Sequence, residues 1–577
     1  MKIETFFENF GILTDAPNAV TKLREIILQL AVCGKLFPQN FSDEPASVLL
    51  KKIKAEKENL VKEKKIREEK NLLKIKKDEI AYEVPQTWVL VRIGDVLNVI
   101  RGASPRPKGD PRYFAFERTP YHWVKISDIR KYSQGIFLEN TDEFLTKEGA
   151  DKSVVLEKGT LILTNSATIG VPVVLGIDGG CIHDGYLAFP YVNDNYLDKK
   201  YLYYYFLQFQ SQLKERAFGG AQLNLNTNIV KNAPFALPPL AEQKRIVEKC
   251  DRLLSLCDQI EMRQQKRQES IVRMNESAIN QLLSSQNPDE FSLHWQCICN
   301  NFDLLYSIAE TIPKLRQAIL QLAVQGKLVP QNINDESVLS LLDRIRFERE
   351  ELVRYGKLAK LKNFSPVASD EIPYQLPKEW VWVPLGELLI SSPRNGYSPK
   401  PVDYPTKVKT LTLSATTSGR FKNEYFKYLD EEIEQNSHLW LEDGDILIQR
   451  ANSIEYVGIA AIYKGYSHEY IYPDLMMKLR SSNFLEKNYL HLAINNEISR
   501  NFLRARATGT SSNMPKINQL TVNSLPIPLP PLAEQKCIVA KVNRLMSLCD
   551  TLEAKLKEAR SHSETLMEVA AKQVLVA

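Results

Sequence analysis

A chain of 577 residues is too long for one ordinary core and divides into two to four domains of the usual size. With 44% hydrophobic and 25% charged residues, its composition excludes wholesale disorder and a fibrous repeat, while a net charge of +5 permits nucleic acid as a partner without pointing to it. The opening Met1-Lys2-Ile3-Glu4-Thr5-Phe6-Phe7-Glu8 has no basic end followed by an apolar run, and no later stretch approaches a membrane span, so the sequence reads as cytosolic. The eight cysteines form no Cys-x-x-Cys pair, and Cys297-Ile298-Cys299 stands without the second pair or histidines of a zinc site, so the thiols read as structural.

The first recognisable element runs Lys22-Leu23-Arg24, Ile27-Leu28-Gln29-Leu30-Ala31-Val32, Gly34-Lys35-Leu36 and Pro38-Gln39-Asn40. It returns as Lys314-Leu315-Arg316, Leu320-Gln321-Leu322-Ala323-Val324, Gly326-Lys327-Leu328 and Pro330-Gln331-Asn332, an offset of 292 (22 to 314). The same offset carries Glu79-Ile80, Tyr82, Pro85, Trp88 and Gly94 to Glu371-Ile372, Tyr374, Pro377, Trp380 and Gly386. Much later it carries Leu237-Pro238-Pro239-Leu240-Ala241-Glu242-Gln243-Lys244 to Leu529-Pro530-Pro531-Leu532-Ala533-Glu534-Gln535-Lys536, and Ser255-Leu256-Cys257-Asp258 to Ser547-Leu548-Cys549-Asp550. Two copies of one unit therefore make up nearly the whole chain.

Between these flanks, from about 100 to 234 and about 392 to 526, only signposts align, such as Leu156-Glu157-Lys158-Gly159 with Leu441-Glu442-Asp443-Gly444 at an offset of 285. Insertions and deletions therefore lie inside. Apolar, strand-like runs persist in both inserts, which favours two folded domains of related shape and different surface over relaxed loops. Thr160 to Leu163 and Val171 to Leu175 are predicted strands around the polar loop Thr164 to Thr168; Ile446 to Ile448 and Val457 to Ile462 bracket Gln449 to Ser453 in the same way. A helix over Tyr201 to Arg216 is predicted to end at Gly219-Gly220, and its counterpart over Tyr489 to Arg506 at Gly509, in left-handed caps. Earlier, Lys51 to Lys77 carries twelve Lys or Arg against five Glu and reads as a solvated helix face, with phosphate contact as the lesser alternative.

After each Leu-Pro-Pro-Leu a long helix is predicted, with Pro239 or Pro531 in a tolerated first-turn position and Glu242 or Glu534 suited to the positive N-terminus. Ile538, Val542, Leu545, Cys549, Leu552, Leu556, Ala559, Leu566 and Ala570 follow steps of four and three, interrupted at Ser563. The first copy gives Ile246, Cys250, Leu253, Cys257 and Ile260, passes polar Gln264 and Arg267, and resumes at Ile271, Met274 and Ala278. Such a seam, sustained in both copies, favours pairing of the two helices over each packing singly on a globular core.

The paired Leu-Pro-Pro-Leu-Ala-Glu-Gln-Lys segments, Leu-Gln-Leu-Ala-Val-x-Gly-Lys-Leu at 28–36 and 320–328, Pro85-Gln86-Thr87-Trp88 and Pro377-Lys378-Glu379-Trp380 resemble the specificity subunits of type I restriction–modification systems over nearly the full chain. The resemblance implies an α+β tandem duplication in which two α/β-type target-recognition domains are separated by long helices forming an antiparallel coiled coil. Its expected segments are a helical region at 1–84, a recognition domain at 85–236, a central helical region at 237–376, a second recognition domain at 377–528 and a distal helix at 529–577. It implies a non-catalytic subunit that reads the two halves of an interrupted site in double-stranded DNA and assembles with two methyltransferase subunits and with restriction and translocation subunits, away from any membrane. No cofactor is expected in this chain; S-adenosylmethionine, ATP and magnesium would belong to the partners. A helix of some 40 residues is on the order of 60 Å long, against roughly 34 Å for one DNA turn, so the helices could hold two readers apart.

Enzymatic readings find less support. Asp110-Pro111-Arg112-Tyr113 approaches an adenine methyltransferase motif but has Arg112 where a second proline belongs and no Gly-rich cofactor turn upstream, so it reads as a turn. A nuclease built on Pro473-Asp474 and Glu486-Lys487 would need side chains that converge, whereas adjacent Glu486 and Lys487 would face opposite sides of a strand. No phosphate loop is present. A coiled-coil scaffold without sequence readout leaves the divergence of the two inserts unexplained.

Sequence readout needs Arg, Lys, Asn, Gln, Ser and Thr on loops that reach base edges. In the first insert the candidates are Arg101, Ser104, Arg106 and Lys108 on the opening loop, Lys125, then Asn165, Ser166 and Thr168, and finally Gln222 and Asn224 after the helix. In the second they are Arg394, Asn395, Ser398 and Lys400, then Arg450, Asn452 and Ser453, and finally Thr510, Ser511 and Lys516.

Overall fold

The computed structural model describes residues 13–68, 72–76, 79–80, 82–107, 109–165, 169–217, 225–356, 364–509 and 514–576. The chain divides into two compact units, residues 1–266 with 559–577 and residues 267–558. No helix among the described residues is long and apolar enough to cross a membrane.

In the first unit, helix Ala19–Val32 buries Ala19, Leu23, Ile26, Ile27 and Ala31 along one stripe. The chain leaves it at Gly34, whose φ of +68° and the 2.4 Å separation of an added Cβ from Pro85 Cγ both demand glycine. In the second unit Gly326 repeats this after helix Ile312–Val324, with φ of +69° and 2.5 Å to Pro377 Cγ.

Each insert is entered and left through one antiparallel ribbon. Val89–Arg92 pairs with Pro234–Leu237, and Val381–Pro384 pairs with Pro526–Leu529, in the same register (Val89 opposite Leu237, Val381 opposite Leu529). The first insert then builds a six-stranded sheet in the order Ile100–Arg101, Tyr186–Phe189, Leu161–Thr164, Pro172–Leu175, Phe137–Leu138, Ser133–Gln134. The second builds four strands in the order Arg394–Asn395, Met476–Leu479, Ile446–Gln449, Ala460–Ile462, which matches the first four. A further sheet in the first insert contains Glu143–Leu145, His122–Val124 and Gly180–Ile182 side by side, and Phe426–Leu429, Val408–Leu411 and Tyr470–Ile471 reproduce that trio, with the same antiparallel and parallel pairings. The two inserts thus share a core topology and differ at its edges.

The frame closes on its repeated motif. Trp88 Nε1 donates to Glu242 Oε2 at 2.9 Å, and Trp380 Nε1 to Glu534 Oε2 at 2.9 Å. Gln243 Nε2 donates to Pro238 O while Gln243 Oε1 accepts from Asp198 N; Gln535 repeats both bonds with Pro530 O and Glu486 N. Tyr82 and Tyr374 donate to the carbonyls of Val32 and Val324. The Glu-Gln of each motif therefore ties the start of a long helix to the base of the adjoining insert.

The long helices, Leu240–Ser284 and Leu532–Val576, are 45 residues each. Within the first unit, Leu253, Cys257 and Ile260 share a core with Met567, Ala570, Ala571 and Val574. Within the second, Ala278 and Leu282 share one with Leu545, Cys549, Leu552 and Leu556. Early positions of one helix thus meet late positions of the other, the antiparallel arrangement. The predicted seam slips by one residue toward its far end. Met567 is 0% exposed and Leu566 53%, while Asn275 is 1% exposed and Met274 47%. A straight helix drifts about 20° per heptad from a 3.5-residue repeat, so an extra step of four restores the inward face. Buried Asn275 donates to Leu305 O at 3.2 Å.

Other predicted elements are corrected in detail. The helix expected over Tyr489 to Arg506 is two helices, Lys487–Asn495 and Glu497–Ala505, because buried Asn496 leaves the helical region (ψ 158°) and its side chain accepts from Ile498 N and Ser499 N as an N-cap. The second helix stops at Ala505, so Gly509 caps nothing; Gly219-Gly220 lies outside the described residues. Glu486 and Lys487 open a helix, where Glu486 is the N-cap, and do not lie on a strand. The charged helix of the N-terminal region runs Ala46–Lys62, and Lys57 Nζ caps the carbonyl of Gly94.

Candidate nucleic-acid interface

Three chain segments converge at one end of the shared sheet in each insert. The opening segment leaves the first sheet strand, a return turn precedes the second, and a loop follows the third. Gly102 and Gly396 let the opening segment lie against the return turn: a Cβ there would stand 2.1 Å from the carbonyl oxygen of His183 or Tyr472. Both are backbone atoms that cannot swing aside.

On this close approach a serine meets an aspartate twice. Ser104 Oγ donates to Asp184 Oδ1 at 2.7 Å, and Ser398 Oγ donates to Asp474 Oδ1 at 2.6 Å while accepting from Asp474 N. The aspartate's carbonyl then takes a donor from the third strand's loop: Asn165 Nδ2 to Asp184 O at 3.0 Å, and Arg450 Nη1 to Asp474 O at 3.1 Å. Their backbones are matched as well, with Asn165 N on Gly185 O and Arg450 N on Leu475 O. Asn165 and Arg450 therefore occupy the same post on two copies of one scaffold, but Asn165, expected to reach a base edge, is buried at 5% exposure with its amide spent on Asp184 O, and only Arg450 is partly exposed.

Around the first clasp, Arg101 is exposed at its strand end and donates Nε to Asp184 O, and Arg106 is exposed beyond it. Lys125, at the head of helix Ile126–Tyr132, pairs with Glu143 at 2.6 Å, and that hydrogen bond raises its pKa. A cleft of about 900 Å³ opens behind the loop, walled by Phe114, Trp123 and Phe144 and reached by Ser104, Lys125 and Asp184. The Ser104 hydrogen bond, above all, holds the Asp184 carboxyl below the usual range.

Around the second clasp, Arg394 and Asn395 lie on the edge strand, and Ser398 and Lys400 are exposed on the segment that follows. Asn452 is engaged locally: Nδ2 donates to Gln449 Oε1 and Oδ1 accepts from Ser453 N. Lys516 is exposed and bridged to Ala451 and Thr508, and Ile517 N bonds Arg450 O, which brings the segment after the helix to the same place. Lys108, Ser166, Thr168, Gln222, Asn224, Thr510 and Ser511 lie outside the described residues.

Sequence reasoning weighed Asp474 only as a metal ligand or a turn and gave Asp184 and the two glycines no role. The signal was present: each insert places an aspartate just before an apolar strand, in Asp184-Gly185-Tyr186-Leu187 and Asp474-Leu475-Met476-Met477. Pro473-Asp474 forms the expected turn, with Met476 N on Pro473 O, and Asp110 likewise closes on Arg112 and Tyr113 N. Among the described residues no group of three His, Cys, Asp or Glu stands together as a metal site.

Residues 85–269 and 377–559 match the family model described as the type I restriction modification DNA specificity domain. The chain belongs to this DNA-specificity family. It is 31% identical over 561 residues to the type I restriction enzyme EcoEI specificity subunit of Escherichia coli, covering 94% of this chain and 91% of the relative, and equally to the EcoAI specificity subunit of that species. Among solved structures, the HsdS subunit of Thermoanaerobacter tengcongensis aligns at 17% identity over 86% of this chain and 99% of that chain, with a TM-score of 0.39. In this DNA-specificity protein the two matched stretches begin at Pro85 and Pro377, at the equivalent position of each copy. The expected tandem α+β architecture and the specificity-subunit reading stand with the family, and nothing favours a fused methyltransferase or nuclease.

Proposed function

We propose that the chain is the non-catalytic, sequence-reading subunit of a type I restriction–modification complex in the cytoplasm. The recognition domains at 85–236 and 377–528 read two different halves of an interrupted site in double-stranded DNA. The regions 1–84, 237–376 and 529–577 form the frame, to which two methyltransferase subunits and the restriction and translocation subunits attach, and the long helices fix the gap. S-adenosylmethionine, ATP and magnesium belong to those partners.

One observation carries this reading: a single clasp is built twice, with Asn165 at the post in one insert and Arg450 in the other. Keeping the scaffold while changing the residues on it is what a reader of two unlike half-sites requires: Arg450 is partly exposed and suits guanine in the major groove, whereas Asn165 is buried and holds its loop to the return turn. The test is selection from random DNA by the chain assembled with methyltransferase subunits. The expected consensus is bipartite and asymmetric, and Arg450→Ala or Arg394→Ala changes one half while sparing the other. Uniform weakening on all sequences with a smaller salt dependence would make those arginines phosphate contacts. Absence of any consensus would overturn the reading.

A further inference from the structure

Several acids of the first insert are each paired with a cation. Asp110 is held by Arg112, Glu143 by Lys125 and Asp142 by Lys131. Asp474 is exposed and Asp184 half-buried, with its side chain 47% exposed, and among the described residues neither carboxylate has a Lys or Arg within ion-pair distance. Arg101 and Arg450 bond the aspartates' carbonyl oxygens instead. His183 Nδ1 stands 4.0 Å from Asp184 Oδ1. In each insert the serine takes Oδ1, which orients the carboxylate, and among the described residues no hydrogen bond from another side chain engages Oδ2. The arrangement arises at the same place in both domains although the sequences around it have diverged.

An ionised carboxylate on a DNA-facing surface repels phosphate and has no proton to offer a base acceptor. Its favourable partners in the major groove are exocyclic amino groups: cytosine N4 above all, and adenine N6. It penalises guanine O6 and thymine O4 at the same position. Resting on the proposed function, we infer that Asp184 and Asp474 are specificity-determining residues, each selecting a base that carries an amino group at one position of its half-site. Ser104 and Ser398 are then positioning residues that aim the carboxylate.

The experiment uses the chain assembled with methyltransferase subunits and selects from random duplex DNA with wild type, Asp184→Asn, Asp474→Asn and Ser398→Ala. Asparagine keeps an acceptor for the serine and adds a donor, so the clasp and fold persist. Each Asp→Asn variant is expected to lose selection at one position, held by cytosine or adenine in the wild type, with every other position kept and binding to unrelated DNA unchanged or stronger. Ser398→Ala is expected to blur that same position without erasing it. Replacing the selected base by its analogue without the amino group, 2-pyrimidinone or purine, should weaken wild-type binding about tenfold and leave the Asp→Asn variant indifferent. An unchanged consensus in both Asp→Asn variants, or equal losses on all sequences, overturns the inference while leaving the proposed function intact. Absence of a consensus in the wild type overturns the proposed function itself.

Discussion

Trp88 and Glu242, 154 positions apart, meet in the interior through an indole-to-carboxylate hydrogen bond of 2.9 Å, and Trp380 and Glu534 repeat it at the same separation and distance. Each bond joins the strand entering an insert to the first turn of a long helix. Trp88→Phe or Trp380→Phe removes the donor and leaves a buried carboxylate short of a partner, an expected cost of about 1–3 kcal/mol. Urea unfolding of each variant checks this, and a change within error would show that the bond is replaceable.

Burial is the largest influence on Glu242 and Glu534 and raises both above the ordinary glutamate value of 4.5. The folded protein therefore holds protons that the unfolded chain has already released. Between the ordinary and the raised value, stability falls as pH rises. The double variant Glu242→Gln, Glu534→Gln keeps an oxygen for each indole and cannot titrate. Its stability curve should be flatter than wild type over that window, and melting temperatures measured from pH 4 to pH 8 decide the matter.

Gly102→Ala and Gly396→Ala place a methyl group 2.1 Å from a fixed carbonyl oxygen. Each should force the opening segment away from the return turn, costing about 1–3 kcal/mol as overpacking does. Sequence selection by the assembled complex should degrade in one half-site per variant. Wild-type selection by both would mean that the close approach is dispensable.

The slipped seam separates neighbouring residues sharply. Met567→Ala truncates a fully buried side chain and should cost about 2–5 kcal/mol, whereas Leu566→Ala should stay within about 0.5 kcal/mol. The reverse order in thermal or urea unfolding would restore the seam expected from heptad spacing.

Arg24 bonds Asp258 and Glu261, and Arg316 bonds Asp550 and Glu553, at matched positions of the two copies. Their partners are largely exposed, so Arg24→Ala and Arg316→Ala should lower the melting temperature only slightly, and 0.5 M salt should erase the difference. A large, salt-resistant loss would assign these arginines a packing role through their stems.

Much of this architecture was legible because duplication supplies an internal comparison. Trp88 and Glu242 recur at one offset because they bond each other, and Gln243 because it bonds Pro238 O and Asp198 N, so a change in any would strand its partner. The predicted strands around Asn165 and Arg450 form, since an apolar run bounded by polar loops has few alternatives in a small core. The clasp was harder to find. Ser104 and Asp184 lie 80 positions apart, and local propensity carries no information about which turn meets which loop. Asn496 hid inside an apolar helical pattern because its capping role depends on a backbone turn that tertiary packing selects. The seam slip escaped because a heptad count ignores the drift that accumulates over 45 residues.

The two ribbons make each recognition domain a cassette with a standard fitting. Both of its ends pass through paired strands of identical register, Val89–Arg92 with Pro234–Leu237 and Val381–Pro384 with Pro526–Leu529, so the frame meets four paired positions in the same alignment although only the Val–Leu pair keeps its residues. A recombination event with crossovers in the two strands of a ribbon would import a whole foreign domain and leave the helices, the indole locks and their docking partners untouched. The ribbons thus separate what an insert contains from how it is joined to the rest of the chain.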